Sequence, residues 1–320
     1  MSTVALDLLG GDGAPDVVAD AAALVAGSVD LVVVGPADVA RALLTARGLA
    51  DVPVVDAAGG IGMDEDALRA VRDRPDSSIV VAARLVADGH ADAFVSAGHT
   101  GASVAAAALI LRRVPGMTRP PLAVVLPALA GPVVLLDCGA VPDAGPVDLL
   151  RHARAGWAYA RAWGMSNPSV GLLTIGEEAG KGDAVRRDAH TLLEADCARA
   201  GIPYVGGVEG HDVARGERAQ VIVTDGFTGN VLLKGLEGAV LWSATRMAQA
   251  YGRPDEARAV VRQARTSDFA GGMILGVNGV AVVGHGAGSA EEIAACVRLA
   301  DRAVRGELVA TTRTVLAEAD

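Results

Sequence analysis

Short valine-rich apolar runs alternate with longer alanine-rich segments of helical period along the whole chain, and this order constrains the fold more than any other feature. Residues 4–8, 31–34, 52–55, 93–96, 133–137, 170–173 and 221–224 read as strands, and Val283 ends a late one. Residues 16–26, 37–47, 78–87, 101–113, 147–163, 183–200 and 289–304 read as helices. Several strands are apolar throughout instead of alternating, as strands covered on both faces are. The expected class is therefore α/β, a three-layer fold around a mostly parallel, doubly wound sheet. No internal repeat, low-complexity tract or Pro/Ser-rich linker divides residues 1–320, so one compact domain is expected. The exception to the alternation is 231–251 followed by 254–265, two helices meeting at Gly252-Arg253-Pro254, which read as a protruding helical hairpin. Leu232, Leu236, Ala239, Val240 and Ser243 form one stripe on the first of them. Such a stripe is expected to pack on the body or on a second subunit, with membrane or carrier contact as the alternative.

Charge narrows the partners. Twenty-eight basic against 38 acidic residues give a net charge of -10, which opposes broad affinity for nucleic acid or an anionic surface and leaves anionic substrates to a local site. Cys138, Cys197 and Cys296 are odd in number and lack a CxxC pair, so neither a disulfide framework nor a structural zinc site is expected. Buried free thiols are, and no metal or cofactor is implied. No stretch approaches the roughly 18 uninterrupted apolar residues of a membrane span, and Met1 runs directly into Val4-Ala5-Leu6-Asp7 without a signal-peptide pattern. A cytoplasmic protein is the expectation.

In an open α/β sheet, ligands bind beyond the carboxyl ends of the strands, where loop amides and helix N-termini face an anion. The first such loop, Gly10-Gly11-Asp12-Gly13, does not fit the dinucleotide spacing and reads equally as a plain strand-to-helix turn. Ser96-Ala97-Gly98-His99-Thr100-Gly101 is a candidate anion cradle, although Ser96 and Thr100 suit helix capping as well and His99 alone is weak support for proton transfer. Gly176-Glu177-Glu178-Ala179-Gly180-Lys181-Gly182 fails the P-loop spacing, and Gly182 stands where magnesium binding needs a hydroxyl. What remains is Lys181 between Gly180 and Gly182 at a helix start, either an ordinary solvated lysine or a phosphate ligand acting with backbone amides. Asp225-Gly226-Phe227-Thr228-Gly229-Asn230 puts an acid, a hydroxyl and an amide on one turn, with Asn230 able to aim its amide at a developing oxyanion. Asp225, Thr228 and Gly229 are candidates beside it. His285, between Gly284 and Gly286, is a general acid or a structural residue.

Taken in order, these loops resemble the PlsX family, the acyl-acyl-carrier-protein:phosphate acyltransferases of bacterial phospholipid synthesis. The resemblance runs from Asp7–Pro15 through Asp76-Ser77-Ser78, Ala91 to Gly98 with Thr100-Gly101, Arg119-Pro120, Gly171-Leu172-Leu173 with Gly176-Glu177-Glu178 and Gly180-Lys181-Gly182, Thr224 to Asn230 with Lys234 and Glu237-Gly238, to Gly271-Gly272 and His285-Gly286. It implies a fold akin to phosphotransacetylases and isocitrate dehydrogenases, a homodimer, and reversible formation of an acyl phosphate from an acyl thioester and inorganic phosphate. It also implies catalytic roles for Lys181 and Asn230, and acyl carrier protein as donor. The chain departs from the family pattern where His99 and Thr174 replace asparagines and where a lysine is missing near Gly145. These departures bear on the donor, so an acyl-coenzyme A phosphotransacylase and a non-catalytic carrier-binding protein stay open. The family's peripheral membrane association is thought to use the hairpin. Here Arg246, Arg253, Arg258, Arg262 and Arg265 suit electrostatic contact with an anionic lipid or acidic carrier, not deep insertion.

Overall fold

A computed structural model describes residues 1–178, 180–266 and 270–317, the side chains of 263–266 excepted. Its strands in chain order are β1 (Thr3–Asp7), β2 (Asp30–Gly35), β3 (Val54–Asp56), β4 (Ala93–Ser96), β5 (Leu122–Ala128), β6 (Gly131–Leu136), β7 (Val170–Leu173), β8 (Tyr204–Val208), β9 (Val221–Val223), β10 (Gly272–Ile274) and β11 (Val280–Val283). They fall into two compact units. The first comprises Met1–Pro120, Ala158–Ser166 and Gly271–Asp320, the second Pro121–Trp157 and Asn167–Ala270.

In the first unit the strands run β3-β2-β1-β4-β11-β10, all neighbours parallel except the antiparallel pair β10–β11. β1 is central because Val4 to Asp7 are all buried, Leu6 pairing with Val33 on one side and Val95 on the other. Each large aliphatic side chain buried in this way contributes about 1.5–3 kcal/mol of transfer free energy. Helix Asp16–Val25 turns Val18, Ala19, Ala21, Ala22 and Val25 inward and packs on helix Ala290–Arg305. That helix starts at Ser289 with a reciprocal cap from Glu292, which satisfies two otherwise orphaned N–H groups. The helix expected over 101–113 begins at Thr100 but is α-helical only to Ala106, continuing as a π-turn from Ala107 to Leu111.

In the second unit the order is β5-β6-β9-β7-β8, with the hairpin β5–β6 antiparallel and the rest parallel. Helix Ala184–Ala200 begins at Asp183, whose carboxylate accepts the Arg186 N–H, and ends at Gly201 in the left-handed conformation. Inside this unit Arg154, fully buried, meets Asp196 with a 2.7 Å bond from Nε. Cys138, Cys197 and Cys296 are buried free thiols. Burial pushes Cys197 up to about 11 and Cys296 up to about 12.

The expected hairpin is helix Gly226–Tyr251 followed by Pro254–Thr266, with Gly252 at φ +66° between them. The first helix starts five residues earlier than its apolar period suggests. Asp225 caps it by accepting the Thr228 N–H, so the Gly-Phe-Thr-Gly-Asn segment forms the first helical turn. The stripe behaves differently from expectation within the chain: Leu232 and Leu236 are half-buried, Ala239, Val240 and Ser243 are exposed, and Ala244 is the buried residue of the middle turns. Phe227, Val231 and Trp242 make a second exposed apolar face, and Tyr251 is also exposed. In a chain with only three each of Phe, Trp and Tyr, one of each is exposed on this helix. No helix among the described residues is long and apolar enough to cross a membrane.

Candidate active site

Each unit gathers its own candidate loops at the carboxyl ends of its strands. In the first, the loops after β1, β4 and β11 touch: the Asp12 N–H donates to the Gly286 carbonyl, and a Cβ on Gly10 would lie 2.7 Å from the Gly98 nitrogen. Ser96 is buried and its hydroxyl donates to Asp7 Oδ2 at 2.7 Å while accepting the Gly98 N–H at 3.1 Å. Burial raises the Asp7 carboxyl above its ordinary value, more than the hydrogen bonds it accepts from Ser78, Ser96 and Leu9 lower it. His99 is occupied on both ring nitrogens. Nδ1 accepts the Ala102 N–H at 3.3 Å as the cap of the helix from Thr100, and Nε2 lies 3.2 Å from the Glu65 carbonyl. With Nδ1 accepting, Nε2 is the nitrogen left to donate to the Glu65 carbonyl, so the ring ties this loop to its neighbours. Thr100 is exposed at the helix start and Gly101 packs beneath the His99 ring. His285 is exposed and makes a local turn contact, Nδ1 accepting the Ala287 N–H.

The second unit brings together the two segments with the sharper chemistry. Gly180 and Gly182 have φ of +97° and +93°, the region L side chains avoid, and a Cβ on Gly182 would also strike Thr174 Oγ1 and Arg186 Cβ at 2.8 Å. Lys181 between them is exposed, and its ammonium makes no ion pair among the described residues. Asn230 lies one turn into the hairpin helix. Its Nδ2 donates to the Cys138 carbonyl at 3.1 Å, which fixes which side of the amide carries the donors and leaves the second N–H for a ligand.

Two residues that sequence reasoning passed over hold this arrangement. Asp137, completely buried at the end of β6, accepts four backbone N–H groups: Leu122 at 2.9 Å, Gly139 and Ala140 at 3.0 Å, and Val141 at 2.5 Å. It thereby shapes the turn that presents the Cys138 carbonyl to Asn230. Arg186, in the first turn after the Lys181 loop, reaches Asp183 Oδ2 with Nη1 at 2.9 Å. Its Nη2 meets the Asp225 carboxylate, Thr224 Oγ1 at 3.2 Å and Thr228 Oγ1 at 3.1 Å. Burial works to raise the Asp225 carboxyl, but the Thr228 N–H and hydroxyl and the Arg186 charge outweigh it and hold the group below its ordinary 3.8. The only sequence signal for either residue was its place next to a strand-end loop.

Among the described residues no three His, Cys, Asp or Glu side chains stand close enough to hold a metal ion. A hollow of about 490 Å³ bordered by Ser28, Arg298 and Arg302 contains none of the candidate residues. The donor set, not concavity, therefore selects the site.

Residues 2–311 match the model of a family described as fatty acid synthesis protein. The chain belongs to this family. A phosphate acyltransferase of Thermus thermophilus is 42% identical, covering 97% of this chain and 97% of its own. Another, of Thermobifida fusca, is 41% identical over 98% of this chain and 91% of its own. The family is thus the PlsX family that the loop motifs resemble. Among solved structures, a phosphotransacetylase of Streptococcus pyogenes shares the fold at a TM-score of 0.64 and 20% identity, covering 96% of this chain and 94% of that one. The EutD phosphotransacetylase of Staphylococcus aureus gives 0.62 at 16% identity, over 95% and 94%. These two likenesses establish the fold class expected from the sequence.

Proposed function

We propose that this chain transfers a fatty acyl group reversibly from an acyl carrier protein thioester to inorganic phosphate, giving an acyl phosphate for phospholipid synthesis. Acyl transfer to phosphate is the activity of the family, and by membership the chain is a transferase of lipid biosynthesis. The residue assignment rests on one observation: the Lys181 loop and the Asn230 turn stand together in one unit, joined through Arg186.

Phosphate is a competent nucleophile at neutral pH, so the protein must hold it, offset its charge and stabilise the oxyanion of the addition intermediate. The Lys181 ammonium, with the amides of Gly180 and Gly182, holds phosphate, while the Lys181 N–H closes the loop on the Glu178 carbonyl at 3.1 Å. A phosphate oxygen attacks the thioester carbonyl carbon, and the electron pair displaced onto the carbonyl oxygen is met by the free N–H of Asn230. Collapse breaks the C–S bond, the acyl phosphate leaves, and the carrier thiolate takes its proton from solvent. Asp225, Thr228 and Gly229 fix the Asn230 turn. Ser96 and Gly98, bonded to one another, shape the first unit's own loop together with His99, and Thr100, Gly101 and His285 are assigned to anion binding at that loop.

Charge supports the carrier as donor. From Gly226 to Thr266 the hairpin carries six basic against three acidic residues in a chain of net charge -10. Arg246, Arg253, Arg258 and Arg262 are exposed, while the Arg265 side chain lies outside the described residues. Such a surface suits an acidic carrier protein and peripheral contact with an anionic membrane from the cytoplasm. The exposed apolar faces of the same helix suit a homodimer, with residues 1–320 of each subunit working as one acyltransferase domain.

The test is phosphate-dependent thiol release from acyl carrier protein and coenzyme A thioesters. Lys181→Ala and Asn230→Ala should each lose on the order of 100-fold to 1000-fold in turnover. Near-normal acyl phosphate production by both variants would overturn the residue roles, and a strong preference for acetyl-coenzyme A would overturn the donor.

A further inference from the structure

We infer that Arg186 is a positioning residue for the transfer, one guanidinium that ties together the caps of the two helices bearing the reactive groups. The inference rests on the proposed roles of Lys181 and Asn230. Asp183 caps the helix that follows the Lys181 loop, and Asp225 caps the helix whose first turn carries Asn230. Arg186 bonds both carboxylates through different nitrogens, and also the hydroxyls of Thr224 and Thr228. Its side chain is only 14% exposed, and that of Asp225 only 8%. The geometry uses what is particular to arginine: a rigid planar fork that engages two acceptors at fixed angles, which a lysine ammonium cannot copy.

Two consequences follow for catalysis. The fork sets the Lys181 loop and the Asn230 turn in register, so the distance between phosphate and oxyanion donor depends on it. It also neutralises carboxylate charge beside the place where phosphate must arrive. Without Arg186, the caps Asp183 and Asp225 would both face an incoming anion uncompensated. Register should appear in turnover and charge in phosphate affinity, so the two roles separate experimentally.

The experiment uses the full chain and varies phosphate in the thiol-release assay for Arg186→Met, Arg186→Lys and the double variant Arg186→Met/Asp225→Asn. Thermal unfolding with and without phosphate is measured on each protein. For Arg186→Met we expect kcat to fall and KM for phosphate to rise, each about 10-fold or more, since misplacement near 1 Å can cost about 100-fold. Arg186→Lys should restore the phosphate KM but not kcat. The double variant, with one carboxylate gone, should recover much of the phosphate KM while kcat stays low. Normal kcat and KM in a folded Arg186→Met protein would overturn the inference. If that variant fails to fold, Arg186→Lys decides: lowered kcat at an unchanged unfolding midpoint supports the inference, and full kcat overturns it. If the unmodified protein shows no phosphate-dependent thiol release, the functional reading itself has failed. The thermal shift produced by phosphate then still tests Arg186, because that shift needs no acyl donor and should shrink in Arg186→Met but not in Arg186→Lys.

Discussion

Two glycines on one helix give opposite expectations for the same substitution. An ideal Cβ on Gly229 would sit 1.9 Å from the Asp137 carbonyl oxygen, whereas one on Gly235 meets nothing within 4 Å. Replacing glycine by alanine inside a helix gains about 1 kcal/mol of propensity in either place. At Gly235 that gain should appear as added stability. At Gly229 the Asp137 oxygen must retreat by more than an ångström to reach an ordinary C···O contact of about 3.3 Å. Such overpacking costs about 1–3 kcal/mol. The displacement also drags a carboxylate that holds four backbone N–H groups, and hydrogen bonds to charged groups are worth about 1.5–3 kcal/mol each. Gly229→Ala and Gly235→Ala should therefore separate by at least about 2 kcal/mol, in opposite directions from the unmodified chain. Urea unfolding followed by circular dichroism reads the separation. Because Asn230 is the next residue and leans on the Cys138 carbonyl, Gly229→Ala should also lower turnover in the thiol-release assay by about 10-fold to 100-fold. Equal urea midpoints for the two variants, with full turnover in both, would refute the close approach on which this reasoning rests.

Acid should weaken the cap network. Asp225 is held below its ordinary value, so its contribution is complete above about pH 4 and is lost as pH falls through the lowered value. Asp225→Asn should flatten that acid limb of thermal stability, and an identical limb in both proteins would show that the pair is not the source. The proposed homodimer predicts that light scattering at micromolar concentration finds two chains together. Leu236→Asp or Val240→Asp should weaken the association by placing an unpaired charge in it. A monomeric unmodified protein would end that reading, and unchanged dimers in both variants would move the interface to the Phe227–Trp242 face.

The strands that the sequence revealed are those whose apolar runs are uninterrupted, such as Ala93–Ser96 and Val170–Leu173, where burial on both faces leaves no other composition. Those it hid carry residues that count against strands. β8 contains Gly206 and Gly207, and β5 ends through Pro127 opposite Pro132 in an antiparallel hairpin, where a missing N–H is tolerated. The loops were legible through their glycines, since a positive φ or a close approach leaves a mark in composition. Asp137 and Arg186 were not. Asp137 matters because Leu122, fifteen residues away, turns its N–H toward it, and Arg186 reads like its neighbour Arg187 until the fold brings Asp225 within reach. Long-range convergence of this kind leaves no local spacing to find.

The exposed ring of Trp242 also makes the hairpin its own optical probe. The chain has three tryptophans; Trp157 and Trp163 are half-buried, the latter beneath the Arg302 guanidinium at 4.3 Å, while Trp242 is 67% exposed. Anything that settles over the helix and removes water from that indole will shift its emission to shorter wavelength and shield it from soluble quenchers. Carrier protein, lipid vesicle and second subunit can thus be titrated against the unlabelled protein, each giving its own occupancy curve at one native residue.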